Sequence, residues 1–392
     1  MENKNKFIPY GCQLITDEDI EEVVKVLKSS LITQGNIVPV FEKSIADKVL
    51  ASNGIAVNSA TSALHISCLA LGLSENDYLW TSPITFVSSA NCARFCGAKV
   101  DFVDVDKDTG LMSINSLKIK LKEAEDKGKL PKILIPVHLT GASCDMEEIS
   151  QLSKRYGFKI IEDASHAIGG SYKGHPVGSC KFSDICVFSF HPVKIITTAE
   201  GGLITTNDDL LAYKLKSLRS HGIEKNPQNF EFKSNLPWIY EMQELGYNYR
   251  MNDLQASLGL SQLKRLNSII NKRNFVYKSY EKEFSDLPIR LLKIPQRVES
   301  AVHLCVIQVQ NKLNTSQIGL FNFLRAQNIG VQVHYSPVHL QPYYRKLGFG
   351  YGDFPNSEDY AKISLSIPVF EKMSLETFNK VVEYIKKYFT EL

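Results

Sequence analysis

Apolar positions near the start of the chain fall into a helical rhythm. Ile20, Val23, Val24 and Leu27 recur at helical spacing within 17–29, and Thr16 stands where an N-cap belongs, so the pattern predicts an N-terminal helix. A second helix is predicted over 39–49. From there short apolar runs alternate with helical stretches, at 54–57, 78–82, 100–103, 132–137, 158–163, 184–188 and 203–206. Seven short runs separated mostly by helices require crossover connections. They predict an α/β fold whose large domain is a mostly parallel seven-stranded sheet between helices.

Beyond Leu210 the rhythm is helical again, broken over 225–248 by proline, asparagine and aromatic residues. It resumes over 251–266, with Leu254, Leu258 and Leu263 expected to face inward. From about Tyr280, strand-like 302–309 and 331–334 interleave with helices over 316–327 and 375–388, which predicts a smaller C-terminal α+β domain. The expected division is 1–265 for the N-terminal segment and large domain and 266–392 for the small one. No internal repeat or low-complexity linker intervenes, so the two are expected to pack closely.

Composition narrows the function by exclusion. Of the 392 residues 44% are apolar and 22% charged, as in an ordinary soluble globular protein. Forty-five basic against forty-two acidic side chains leave a net charge of +3, too little to argue for a nucleic acid or a membrane surface as partner. An anionic ligand would need a local site. The polar start, Met1 to Lys6, leads into no apolar run of signal-peptide type, and no run has transmembrane length, so a cytoplasmic protein is expected. The eight cysteines form no C-x-x-C pair. Cys92 and Cys96, four apart on a predicted helix, could hold zinc or a disulfide, but buried thiols of a reducing compartment are the expectation, with no metal site.

The chemistry begins at one lysine. Lys194 stands between an apolar strand ending at Ser189 and the turn Gly201-Gly202, flanked by Val187-Phe188 and Ile195-Ile196, where a surface lysine has little reason to be. Upstream, Lys159-Ile160-Ile161-Glu162-Asp163 reads as another buried strand ending in an acid. The two strands would deliver an amine and a carboxylate to one sheet edge. Pyridoxal phosphate needs both, the lysine for a Schiff base and the acid to keep the pyridine nitrogen protonated. A third element precedes them, Asn58-Ser59-Ala60-Thr61-Ser62, a turn that opens a helix over 62–71 and would aim amides at a phosphate. In isolation such a turn reads first as an ordinary cap, and Asp163 has the alternative of an ordinary N-cap. Together, in this order, the three meet every anchoring need of one cofactor.

These motifs resemble the DegT-class nucleotide-sugar aminotransferases of the fold type I pyridoxal-phosphate family. The resemblance runs from Ile8-Pro9-Tyr10 through 31–35 and 246–252 to Val333-His334-Tyr335. Within the class, the chain is most similar to the subgroup that forms UDP-4-amino-4,6-dideoxy-N-acetyl-β-L-altrosamine in pseudaminic acid synthesis, on 58–64, Ser189-Phe190-His191 with Lys194, 197–202 and 219–222. His166 stands where many relatives carry glutamine, as in that subgroup. The resemblance implies that Lys194 is the catalytic lysine and Asp163 the partner of the ring nitrogen. It implies further that Ala60, Thr61 and Ser189 bind the phosphate, Phe86 stacks on the ring, His166 lies near the phenolic oxygen, and Asn248 reaches the phosphate from the other subunit of a homodimer.

By the same resemblance Tyr10, Ser30, Leu31, Ile32, Thr33, His334 and Tyr335 touch the nucleotide-sugar, while Arg219, His221 and Arg250 are the cations available to its diphosphate. The expected reaction moves an amino group from L-glutamate to C4 of a UDP-linked 4-keto-6-deoxy-N-acetylhexosamine. Two alternatives stay open on sequence alone, an aminotransferase for a GDP- or dTDP-linked keto sugar and a cofactor-binding regulatory protein without turnover.

Overall fold

A computed structural model describes residues 7–232, 234, 236–310 and 316–390. The polar start read above, Met1 to Lys6, lies outside the described residues. Seven strands form the main sheet: β1 (Asn53–Val57), β2 (Tyr78–Thr81), β3 (Lys99–Phe102), β4 (Ile133–Ile135), β5 (Lys159–Asp163), β6 (Ile185–Ser189) and β7 (Gly202–Thr206). Their order is β1-β7-β6-β5-β4-β2-β3. Strands β2 to β6 pair in parallel, and β7 lies antiparallel to both β6 and β1. The exception follows from the connection. The loop from β6 to β7 contains no crossover helix, so the chain turns back along its own strand.

Each run predicted from the apolar pattern becomes a strand of this sheet, within a residue or two. β4 is the shortest because Pro136, which has no N–H to give, interrupts the ladder; pairing resumes at Val137 opposite Asp163. β6 and β7 are buried at every position, as strands covered on both faces should be. The second layer includes α3 (Ala60–Ala70), which packs on β6 and β7, and α4 (Ser88–Phe95), which packs on α3 and β2.

Two faces differ from the sequence reading. In α1 (Asp17–Leu27) the stripe that predicted the helix stays largely outward, with Ile20 and Leu27 exposed, while Asp19 and Val26 are buried. Asp19 is fixed there by Arg265 at 3.0 Å and Gln262 at 2.6 Å, so an ion pair orients the helix. In α8 (Asp253–Lys264) the three leucines are only half-buried. The inward face is Ala256, Ser257, Gly259, Ser261 and Gln262. Gly259 explains the choice, because a Cβ there would lie 2.7 Å from Phe41 and from Thr198. Small residues let α8 approach its neighbours closely.

The C-terminal part is built on an antiparallel sheet of Ile289–Leu291, Cys305–Val309 and Ser364–Ile367. Helices Leu266–Glu283, Gln317–Ala326 and Leu375–Thr390 share its core, which Ile8 also joins. The run 331–334 is not a strand. Gln332 exchanges backbone hydrogen bonds with Ser366 and nothing further, after which the chain turns away and carries His334 and Tyr335 toward the large sheet. Among the described residues no helix is long and apolar enough to cross a membrane.

Candidate active site

β1, β5 and β6 point the same way, and a cavity of about 490 Å³ opens where they end, the usual position for a ligand in an open α/β sheet. β5 delivers Asp163, β6 delivers Ser189, and β1 leads into the start of α3 at Ala60 and Thr61. The residues predicted from sequence divide into two groups. Tyr10, Ala60, Thr61, Phe86, Asp163, His166, Ser189, Lys194, His334 and Tyr335 all line this cavity. Asn248 and the stretch 30–33 lie outside it, on the surface of their own chain.

The start of α3 is arranged to accept an anion. Ser59 caps it by accepting from the Ser62 amide at 3.1 Å, and Ala60 and Thr61 are the first two helical residues, whose amides have no intrahelical acceptor. The Thr61 hydroxyl is 2.9 Å from that of Ser88 on α4. Gly202 makes the junction possible. A Cβ on it would stand 2.7 Å from the Ser59 carbonyl group and the Ala60 nitrogen.

Asp163 is buried, yet three donors serve it. The Ser89 hydroxyl reaches Oδ2 at 2.6 Å; the Ser165 amide and hydroxyl reach Oδ1 at 3.1 and 2.6 Å. All three are donors, so both carboxylate oxygens act as acceptors and the side chain is fixed in one orientation. Lys194 sits in the loop after β6, which is closed by the Phe190 amide donating to the Gly201 carbonyl at 2.9 Å and the Thr198 amide donating to the Phe190 carbonyl at 3.0 Å. Burial pushes its ammonium down to about 8, against the opposing pull of Asp163. An amine held there still carries its proton in most molecules at neutral pH but gives it up far more readily than a free lysine.

The opposite wall is aromatic and uncharged. Burial, with Lys194 nearby, pushes His334 down to about 4 and holds His166 well below the ordinary imidazole range, so both are neutral. The His334 Nδ1 lies 2.8 Å from the Ser366 hydroxyl, and the His166 Nε2 lies 3.3 Å from that of Tyr335. Burial also raises the Tyr335 phenol, which stays protonated. Phe86 is 59% exposed, its ring 6.4 Å from that of Tyr335, so it is a wall of the cavity and not a core residue.

Several contributors escaped the sequence reading. Thr85, Ser88, Ser89 and Ser165 are hydroxyl residues beside helix or strand ends, where capping is the usual role, and only the cluster 85–89 hinted at more. His303 was invisible; it is buried against His166 with ring centres 4.5 Å apart. One expected cation is already committed. Arg219 binds Glu42 and the Ala56 carbonyl in a largely buried pair, so its charge serves the fold. All eight cysteines are free, and among the described residues no cluster could hold a metal ion.

Known proteins share this architecture. The sequence profile of the DegT/DnrJ/EryC1/StrS aminotransferase family matches residues 13–386. The chain is 38% identical over 388 residues to the UDP-4-amino-4,6-dideoxy-N-acetyl-beta-L-altrosamine transaminase of Campylobacter jejuni, covering 97% of this chain and 99% of that one. Among solved structures, Helicobacter pylori PseC, an aminotransferase of pseudaminic acid biosynthesis, superposes with a TM-score of 0.89 at 31% identity, over 99% of this chain and 100% of that one. A putative sugar aminotransferase of Streptococcus pneumoniae, Spr1654 in its pyridoxal-phosphate form, gives 0.88 at 29% identity, over 98% and 99%.

Proposed function

The chain belongs to the DegT/DnrJ/EryC1/StrS aminotransferase family, whose enzymes use pyridoxal phosphate on nucleotide sugars, and from that membership and the cavity we propose a specific reaction. It transfers the amino group of L-glutamate to C4 of a UDP-linked 4-keto-6-deoxy-N-acetylhexosamine and yields UDP-4-amino-4,6-dideoxy-N-acetyl-β-L-altrosamine. The observation that carries this reading is the meeting of Lys194, Asp163 and the start of α3 in one cavity.

The residues present fit the cofactor. A carboxylate met by three hydrogen-bond donors, a lysine whose ammonium is held down at about 8 and a helix start kept open by Gly202 are the three anchors it requires, and the buried His166 Nδ1 has no hydrogen-bond partner among the described residues. When bound, pyridoxal phosphate supplies a carbonyl that condenses with amines and a pyridinium ring that withdraws electrons. Asp163 holds the proton on the ring nitrogen. Ala60 and Thr61 bind the phosphate through their amides, aided by the α3 dipole, and Ser189 adds its hydroxyl. Phe86 and His166, which also line the cavity, would hold the ring in place.

Lys194 is the proton carrier. In the first half of the cycle its neutral amine takes a proton from Cα of glutamate; in the second it returns one to C4 of the sugar. Tyr10, His334 and Tyr335 border the sugar side with neutral donors and acceptors. Asn248 and 30–33 act in the partner subunit's cavity. In support, the chain shortly after Asn248 meets the stretch 30–33, the Asp253 amide donating to the Ile32 carbonyl at 3.1 Å, and Leu31 and Ile32 are exposed apolar residues.

Two measurements test this reading. UDP-, GDP- and dTDP-linked 4-keto-6-deoxyhexoses are each incubated with loaded enzyme and glutamate, and the amino sugar is resolved by NMR. Turnover of the UDP-linked N-acetylated sugar with the altro configuration is expected; preference for another nucleotide or the opposite C4 configuration would replace the proposed substrate. Gly202→Ala probes the anchor. Its Cβ meets backbone that no rotamer change can move aside, so a loss of about 1–3 kcal/mol in denaturant unfolding is expected, together with weaker cofactor binding. Unchanged stability and affinity would show that this approach does not shape the phosphate site.

A further inference from the structure

We propose that Ser89, backed by Thr85, is a positioning residue that sets the orientation of the Asp163 carboxylate and through it the hold on the cofactor's ring nitrogen. The inference rests on the reading of Asp163 given above and adds to it the group that governs that carboxylate.

The geometry defines a directed chain. Ser89 is fully buried, and its hydroxyl lies 2.6 Å from Asp163 Oδ2, 2.7 Å from the Thr85 hydroxyl and 3.3 Å from the Phe86 carbonyl. A serine has one proton to give. The carboxylate, being charged and closest, takes it. Ser89 then accepts from Thr85, whose own hydroxyl is directed inward, so the order is Thr85 to Ser89 to Asp163. Each donor polarises the next, and the end of the chain is a shortened bond to a buried charge.

Local sequence explains why these hydroxyls are free for the task. α4 begins at Ser88, yet its N-cap position is Val87 and makes no side-chain capping bond. The two serines of the first turn reach outward instead. Ser88 touches Thr61 at the phosphate end of the site, and Ser89 touches Asp163 at the ring end. One helical turn therefore links both anchors, with Phe86, the ring-facing aromatic, immediately before it. Ser89 does not line the cavity and meets Asp163 alone at its ring end, so its loss reaches a ligand only through what that carboxylate holds.

The test compares pyridoxal phosphate with its 1-deaza analogue, which keeps the aldehyde and phosphate but has carbon in place of the ring nitrogen. Affinities of the unloaded full-length protein are read from intrinsic fluorescence. Ser89→Ala should weaken pyridoxal phosphate roughly tenfold, the scale of one hydrogen bond to a charged group, and the analogue less than about twofold. Thr85→Val, nearly isosteric, should show the same selectivity at about two- to threefold. Asp163→Asn is the control. If Asp163→Asn discriminates between the two ligands and Ser89→Ala weakens both equally, Ser89 is merely structural and the inference fails alone. If Asp163→Asn does not discriminate, the assignment of Asp163 itself fails. A Ser89→Ala protein that misfolds leaves Thr85→Val to decide, and equal loss of both ligands there overturns the proposal.

Discussion

Asp163→Asn should leave a folded protein that turns over about 10²–10³-fold more slowly, the scale of losing one preorganised electrostatic contact to the reacting system. Folding survives because the site can absorb an amide in one orientation. Oδ1 faces the Ser165 backbone amide, a donor that cannot be inverted, so the amide oxygen must sit there. The NH₂ then takes the Oδ2 position against Ser89, whose hydroxyl can turn to the Phe86 carbonyl and accept instead. The cavity thereby exchanges a charged acceptor for a neutral donor. A protonated ring nitrogen loses its counter-charge, and the ring its capacity to draw electrons from the reacting carbon. The fall is expected in kcat for both half-reactions, with cofactor affinity reduced and the denaturation midpoint little changed. Wild-type turnover in Asp163→Asn would mean that another group holds the ring nitrogen.

This asymmetry also marks where sequence reading succeeds and stops. Lys194 and Asp163 were legible because each is a charge set against apolar strand residues, and a charge in that setting needs a reason. The seven strands were legible because their runs are short, apolar and separated by helices. What the runs could not encode was set by tertiary contact. The Ile20 stripe predicted α1 correctly and its buried face wrongly, because Arg265 and Gln262 draw Asp19 inward. The α8 leucines misled for the opposite reason, since close approach to Phe41 selects the glycine face. Ser364–Ile367 is a fully buried strand with two serines and gave no apolar signal. Ser89 belongs with these. A serine at a helix start is ordinarily a cap, and only the fold places it against a carboxylate seventy-four residues away.

Lys194→Ala should abolish turnover, by at least about 10⁴-fold at the upper end of general acid–base catalysis, because among the described residues no other amine lines the cavity to carry the proton between carbon atoms. Borohydride treatment of the loaded proteins separates tether from binding. The wild-type chain should retain a pyridoxyl adduct on Lys194 in its mass spectrum, and the variant none; an adduct on another lysine would move the catalyst elsewhere. The cofactor-free protein offers an independent sign. Burial lowers the Lys194 ammonium to about 8 from the 10.5 of an unfolded lysine, so folding disfavours the charged form. Below about pH 8 both states carry the proton and the native state bears the full penalty. Between 8 and 10.5 the native state releases the proton while the unfolded chain keeps it, and stability rises with pH. The cofactor-free Lys194→Ala protein should therefore be the more stable below pH 8, its advantage shrinking toward pH 10.5. An advantage that instead grew with pH would mean that the protein stabilises the ammonium, and the lysine would then be a structural cation and a poor proton acceptor.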